Sequence, residues 1–196
     1  MRTERIAEVE RITGETSIFA RVNLDGTGQC DIKTHIGFLD HLFSSMSRHG
    51  SLDLQLTCKG DLDIDDHHTA EDCGLAVGEA IDKALLDRRG ISRFGYAYAP
   101  LDEALARAVI DLSGRPFAMI ELGLNRETIG QIACENITHV LVSMAMRLKA
   151  SLHVDVLRGE NDHHRAEAAF KAVGLALGVA IAQTGRYDVP STKGVL

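Results

Sequence analysis

Asp66-His67-His68-Thr69-Ala70-Glu71 returns in the second half of the chain as Asp162-His163-His164-Arg165-Ala166-Glu167, an offset of 96 residues in a chain of 196. With 9 histidines in all, composition alone predicts about 0.4 adjacent His pairs. Two pairs in one acidic frame, half a chain apart, mark a duplicated unit. Each copy presents two imidazoles and a carboxylate at the start of a helix, a donor set suited to metal ions.

The repeat extends outward from the histidines. Ser51-Leu52-Asp53-Leu54 matches Ser151-Leu152-His153-Val154. Leu52, Leu54, Leu56 and Cys58 alternate with polar residues, as do Leu152, Val154 and Val156, the period of a half-buried strand. Thr16 to Leu24 alternates in the same way, and its counterpart is expected in the runs 105–112 and 117–122, joined by the turn Ser113-Gly114-Arg115-Pro116. Residues 37–49 and 132–149 read as helices ahead of each repeated strand. The segments after the histidines are rich in small residues, with Gly74 and Gly78, and Gly174 and Gly178, each four apart on one helical face. Glycine costs a helix about 1 kcal/mol against alanine, a cost that makes sense where helices pack backbone to backbone. The expected fold class is α+β: duplicated half-domains, each a small mixed sheet with helices on one face, the helices packed centrally between the two sheets. The halves are residues 1–90 and 91–196, together one compact catalytic domain.

The remaining composition excludes several classes. A net charge of −7 with no Lys/Arg run argues against a nucleic-acid surface. No stretch of 18 apolar residues spans a membrane. Met1-Arg2-Thr3-Glu4-Arg5 has no apolar signal core, so a cytoplasmic location is expected. Cys30, Cys58, Cys73 and Cys134 are scattered without a C-x-x-C and read as reduced, buried thiols.

On a helix, Glu71 shares a face with either His67 or His68, but the two histidines are about 100° apart around the axis and do not easily serve one ion. The same holds for His163, His164 and Glu167. Two ions are therefore expected, each taking one imidazole from each repeat. His41 and His139 fit the same symmetry and complete eight donors, four for each ion. Open positions on a six-coordinate ion then mark a catalytic site rather than a closed structural one. Nitrogen and carboxylate donors without thiolate suit Mn(II) or Fe(II), with zinc and nickel left open. A single His-x-x-Glu is often only a surface ion pair; the doubled set is what carries the argument. Asp66 and Asp162 are expected as N-caps of the histidine helices, and His35 and His153 as structural.

These residues resemble the imidazoleglycerol-phosphate dehydratase family. The resemblance runs nearly end to end: Val22-Asn23-Leu24-Asp25-Gly26-Thr27-Gly28, Phe38-Leu39-Asp40-His41, Asp65-Asp66-His67-His68-Thr69-Ala70-Glu71-Asp72, Asp111-Leu112-Ser113-Gly114-Arg115-Pro116, Asn161-Asp162-His163-His164 and Pro190-Ser191-Thr192-Lys193-Gly194-Val195-Leu196. It implies two Mn2+ per subunit held at His41, His67, His68, Glu71, His139, His163, His164 and Glu167. It also implies a homo-oligomer of 24 subunits whose active sites draw on more than one chain. The implied reaction is loss of water from D-erythro-imidazole glycerol phosphate in L-histidine biosynthesis. The proton removed sits on a carbon with no adjacent carbonyl, so the imidazole ring must take up the electrons, and a Lewis acid on each ring nitrogen answers that need. Glu15 matches the family's acid/base position, counted as catalytic with the metal-binding Glu71 and Glu167. Glu15, His49, Arg93, Arg115, Ser191 and Lys193 match substrate-contacting positions. Arg93, Arg115, Ser191 and Lys193 among them match the family's phosphate contacts, where charge-assisted bonds would hold the group.

Two departures stand out. Family members carry a glutamate before the lone histidine of the second half and two aromatics after it, where this chain reads Thr138-His139-Val140-Leu141. They also carry arginines in the final helix where Gly174 and Gly178 stand here. Two rival readings remain at this point. A di-metal hydrolase would release phosphate or cleave an ester. A metal-storage or structural cage protein would need the ligands but not Glu15, Arg93, Arg115 and Lys193 together.

Overall fold

The duplication of the histidine motif runs through the whole topology. A computed structural model describes residues 4–194 and Leu196. The first half reads β1 (Ile6–Ile12), β2 (Thr16–Asn23), β3 (Cys30–Lys33), α1 (Gly37–Gly50), β4 (Asp53–Gly60) and α2 (His67–Ala84). The second reads β5 (Phe94–Leu101), β6 (Ala104–Asp111), β7 (Phe117–Glu121), the short pair β8 (Thr128–Ile129) and β9 (Ile132–Ala133), α3 (Cys134–Leu148), β10 (Ser151–Arg158) and α4 (Asp162–Ile181). The two four-stranded sheets have the orders β1-β2-β4-β3 and β5-β6-β10-β7. Each is antiparallel except at one edge, where β3 runs parallel to β4 and β7 parallel to β10. The fold is α+β, as expected, with mixed sheets in corresponding order.

The inward positions follow the period-2 pattern. Thr16, Ile18, Ala20 and Val22 of β2 are buried, as are Leu54, Leu56 and Cys58 of β4. In the second sheet Ala106, Ala108 and Ile110 of β6 and Leu152 and Val154 of β10 do the same. The sheets cover a helical interior: α2 lies on β1, β2 and β4, and α4 on β5, β6 and β10. Both α1 and α3 end on a left-handed residue, Ser51 (φ 54°) and Lys149 (φ 54°), which turns the chain into the following strand.

The principal helix pairs cross between halves: α1 packs on α4 and α2 on α3. The small residues make this possible. A Cβ on Gly174 would stand 2.3 Å from the Met46 carbonyl oxygen, and one on Gly78 2.3 Å from that of Met144. These two contacts are equivalent under the duplication. Gly74 approaches the Val140 carbonyl and Gly178 that of Gly50, but these have no glycine counterpart. Phe170, in the place corresponding to Gly74, meets Phe43 edge-on at 6.2 Å instead.

Several expectations are corrected. The helix expected from residue 132 begins at Cys134, because residues 132–133 pair back onto β8. The counterpart of β2 is β6 alone, while β7 corresponds to β3. Asp66 and Asp162 do not cap through their side chains. Asp66 accepts the Ala133 N–H at 2.7 Å, and Asp162 those of Asn125 and Arg126 at 2.8 and 2.7 Å. Both carboxylates satisfy amides of the segment leading into α3, and Asn161 supplies the cap on α4 through the His163 N–H. Of the cysteines, all free, Cys30 is exposed rather than buried.

Candidate metal centre and active site

The crossed helix pairs bring together two sets of donors, each drawn from both halves. On α1 and α4, His41 Nε2 lies 3.0 Å and His163 Nε2 3.2 Å from the same Glu167 oxygen. On α2 and α3, His67 Nε2 and His139 Nε2 each stand 3.5 Å from Glu71. The imidazole centroids are 5.6 Å apart in the first set and 5.1 Å in the second. Within each set the donor atoms all lie within 4.8 Å of one another, and these are the two groups that do so among the described residues. Metal–ligand bonds of about 2.1 Å at right angles put neighbouring donors about 3 Å apart, so both trios fit a divalent ion. The i, i+4 spacing explains how one helix offers His67 with Glu71, or His163 with Glu167.

The trios differ in their surroundings. Asn136 Oδ1 lies 2.9 Å from His67 Nδ1. An amide oxygen only accepts, so Nδ1 is the donor there and Nε2 is the ring nitrogen directed to Glu71. The corresponding place beside His163 is taken by the Phe38 ring, 4.8 Å away. Glu167 also receives Lys171 at 2.7 Å and Ser45 at 3.4 Å. Burial alone would raise its carboxyl, but Lys171 and His41 outweigh it and bring the group down to about 2. It is a carboxylate ready to bind a cation.

His68 and His164 stand outside the trios of their own chain. Each is oriented like a metal ligand nonetheless. Asp61 Oδ2 holds His68 Nδ1 at 3.0 Å, and Glu103 Oε2 holds His164 Nδ1 at 2.7 Å, leaving both Nε2 atoms directed away. Asp61 raises the His68 imidazole above its usual range, partial desolvation opposing it. Glu15, at the exposed tip between β1 and β2, approaches His68 Nε2 to 3.6 Å.

The substrate-contact candidates fall in two places. Arg93, in a left-handed conformation (φ 70°), pairs with Asp111 at 2.7 and 3.1 Å and donates to the Pro190 carbonyl at 2.8 Å. This bond brings the tail carrying Ser191 and Lys193 beside Arg93, and Leu196 packs against Gly114 next to Arg115. Arg115 and Lys193 are exposed. His49 sits at the end of α1, its imidazole lowered by partial desolvation and by Lys171. Asn136, Asp61 and Glu103 are supporting residues that the sequence reading missed. Glu103 alone left a trace, as the acid in the turn corresponding to the one that carries Glu15.

The family profile for imidazoleglycerol-phosphate dehydratase matches residues 34–177. A protein of that name from Kluyveromyces lactis is 51% identical, with 98% of each chain covered. One from Phytophthora nicotianae is 54% identical over 98% of this chain, which spans 42% of that longer relative. The crystal structure of imidazoleglycerol-phosphate dehydratase from Staphylococcus aureus is 32% identical and superposes with a TM-score of 0.82 over 91% of this chain and 99% of its own. With the two trios, the shared topology and these similarities, the chain belongs to the imidazoleglycerol-phosphate dehydratase family, hydro-lyases of histidine biosynthesis.

Proposed function

We propose that this chain removes water from D-erythro-imidazole glycerol phosphate to give imidazole acetol phosphate, with two manganese ions per subunit. The observation that carries the proposal is the pair of equivalent His-His-Glu trios, with a separate carboxylate, Glu15, close to the ligand-like His68. His41, His163 and Glu167 would hold one ion and His67, His139 and Glu71 the other. His68 and His164, oriented as ligands but outside their own chain's trios, would complete the sites of neighbouring copies, which fits a homo-oligomer of 24 subunits with shared active sites. Bound there, the ions would supply Lewis acidity to the two nitrogens of the substrate ring.

The chain's own groups do the rest. Arg93, Arg115, Ser191 and Lys193 hold the phosphate, and His49 lines the substrate space. Glu15 takes the proton from the carbon that becomes the ketone. The hydroxyl on the carbon next to the ring leaves as water, and the resulting enol becomes the ketone, so phosphate stays in the product. The partner is a small phosphorylated imidazole. No nucleic acid or membrane partner is proposed, given the net charge of −7; among the described residues no helix is long and apolar enough to cross a membrane. We assign the cytoplasm as its location and residues 1–90 and 91–196 as the units of the duplication.

The test is turnover by protein stripped of metal and reconstituted with manganese. A product equal to substrate less one water, phosphate retained, is expected. Release of inorganic phosphate would favour a di-metal hydrolase. Absence of turnover with manganese, iron, zinc or nickel would leave a metal-holding cage.

A further inference from the structure

The symmetry of the scaffold draws attention to what breaks it. In each half, the turn between the first two strands brings acids to the second histidine of the motif: Glu15 to His68 at 3.6 Å, and Glu103 to His164 at 2.7 Å. Among the described residues, only the first of these turns is tied to the neighbouring ligand helix through a buried carboxylate. Asp72 follows Glu71 on α2 and is 5% exposed. Its oxygens accept the Thr16 hydroxyl at 2.5 Å and the Arg11 guanidinium at 2.7 and 3.2 Å. Ala168 takes the equivalent place after Glu167 on α4. Within the turn, Thr13 Oγ accepts the N–H groups of Glu15 and Thr16 at 3.1 and 3.0 Å. The segment is thus pinned on both sides of Glu15, with the anchor one residue from a metal-trio carboxylate.

We infer that Asp72, with Arg11 and Thr16, is a positioning residue that fixes the Glu15 carboxylate beside His68 Nε2. The inference rests on Glu15 being the base. A buried ion pair is poor evidence for stability, because an apolar replacement is often as stable or more so. The duplicated half shows that this scaffold closes with alanine at the same place. A base held about 1 Å from its productive place can lose a hundredfold in rate, and an exposed turn tip on its own would not hold that tolerance.

The experiment uses the metal-loaded, assembled protein. Thr16→Val removes one donor to Asp72 at nearly constant volume, and Arg11→Met removes the other at the partly exposed end. Both are expected to lower kcat by about ten- to a hundredfold while KM and metal content stay near the parent's; the melting temperature falls, because buried Asp72 keeps fewer donors, so kcat is read well below it. Thr16→Ser is expected to restore kcat. In a Glu15→Asp background, already displaced by one methylene, Thr16→Val should cause a much smaller further fall. Parent-like kcat in both folded variants, or the same proportional fall in both backgrounds, would overturn the inference. Parent-like turnover by Glu15→Gln, whose pinned turn is intact, would overturn the assignment of the base instead.

Discussion

Replacing Gly174 by alanine tests whether the metal trio depends on helices meeting backbone to backbone. The added Cβ would lie 2.3 Å from the Met46 carbonyl oxygen and 3.0 Å from its carbon. A comfortable carbon–oxygen contact is about 3.3 Å, so α1 and α4 must part by roughly 1 Å. Overpacking of this kind costs about 1–3 kcal/mol, and the clash with backbone rather than a pliant side chain puts it at the upper end. Alanine returns about 1 kcal/mol of helix propensity, leaving a net loss of about 2 kcal/mol. For a chain of this size that is a melting temperature lower by about 4–8 °C. The same separation pulls His41 on α1, now 3.0 Å from the Glu167 oxygen that His163 approaches to 3.2 Å, away from both α4 donors, so that manganese uptake should weaken too. Gly37→Ala is the control, since nothing lies within 4 Å of its Cβ position. Thermal melts at one protein concentration, stripped and reloaded, with elemental analysis, read both effects. A Gly174→Ala protein that melts no lower than the parent and keeps full metal would refute the reasoning.

Other outcomes follow from the same structure. His163→Ala and His67→Ala should each lower bound metal, measured by elemental analysis, and disturb assembly, measured by sedimentation; unchanged values would remove them from the ligand set. Arg88, buried, donates to the Leu148 and Lys149 carbonyls and to Asp82, joining the segment after α2 to the end of α3. Arg88→Met should cost about 2–3 kcal/mol in denaturant unfolding, and a loss within error of zero would contradict that role. Asp53 accepts the Thr27 and Gln29 amides and the Asn23 side chain. Burial pushes its carboxyl up, but these donors outweigh burial and hold it below the usual carboxylate range. Its contribution is therefore complete above the unfolded carboxyl value of about 3.9 and lost as pH falls through the lowered folded value. Hydrogen exchange at Thr27 and Gln29 should quicken over that acid window, and at neutral pH in Asp53→Ala; protection that ignores both changes would count against it.

Much of the fold was legible because the buried positions obey simple periods. Ile18, Ala20 and Val22 on β2, and Leu152 and Val154 on β10, alternate as half-buried strands must. The missed strands have physical reasons. β3 is a four-residue edge, Cys-Asp-Ile-Lys, with no buried residue to set a period. β5 inverts the usual pattern: Phe94, Tyr96 and Tyr98 point outward while Gly95 turns toward α4, where a Cβ would clash with the Ala176 carbonyl. A sheet so close to a helix selects small residues inward, and the reading by hydrophobicity fails there. At the site, helical spacing alone pointed to His67 with Glu71 and His163 with Glu167. It left open whether His67 or His68 joins a given ion, because either shares a face with Glu71. The choice is made by α3, which brings His139 and Asn136 to His67, a tertiary contact that no local pattern contains.

That contact also explains why the duplication works as chemistry rather than as mere repetition. Had each half packed its own two helices together, every trio would come from a single copy of the motif. The crossed pairs α1 with α4 and α2 with α3 instead make each trio depend on both halves. Two ions, one in each trio, would suit a substrate ring with two donor nitrogens, but on the proposed reading its proton is lost from a single carbon. One base is enough, and symmetry would supply two. The two turns differ at that point: the second gives Glu103 to His164 Nδ1 at 2.7 Å with Asp102 3.9 Å from Nε2, whereas the first gives Glu15 to His68 Nε2 at 3.6 Å and leaves Nδ1 to Asp61. The Glu15 turn is gripped from behind by Asp72, where the other half has Ala168. An acid bonded to imidazole Nδ1 serves as an orienting partner; one whose turn is fixed from behind and whose carboxylate stands off the imidazole would, on the proposed reading, be placed to accept a proton.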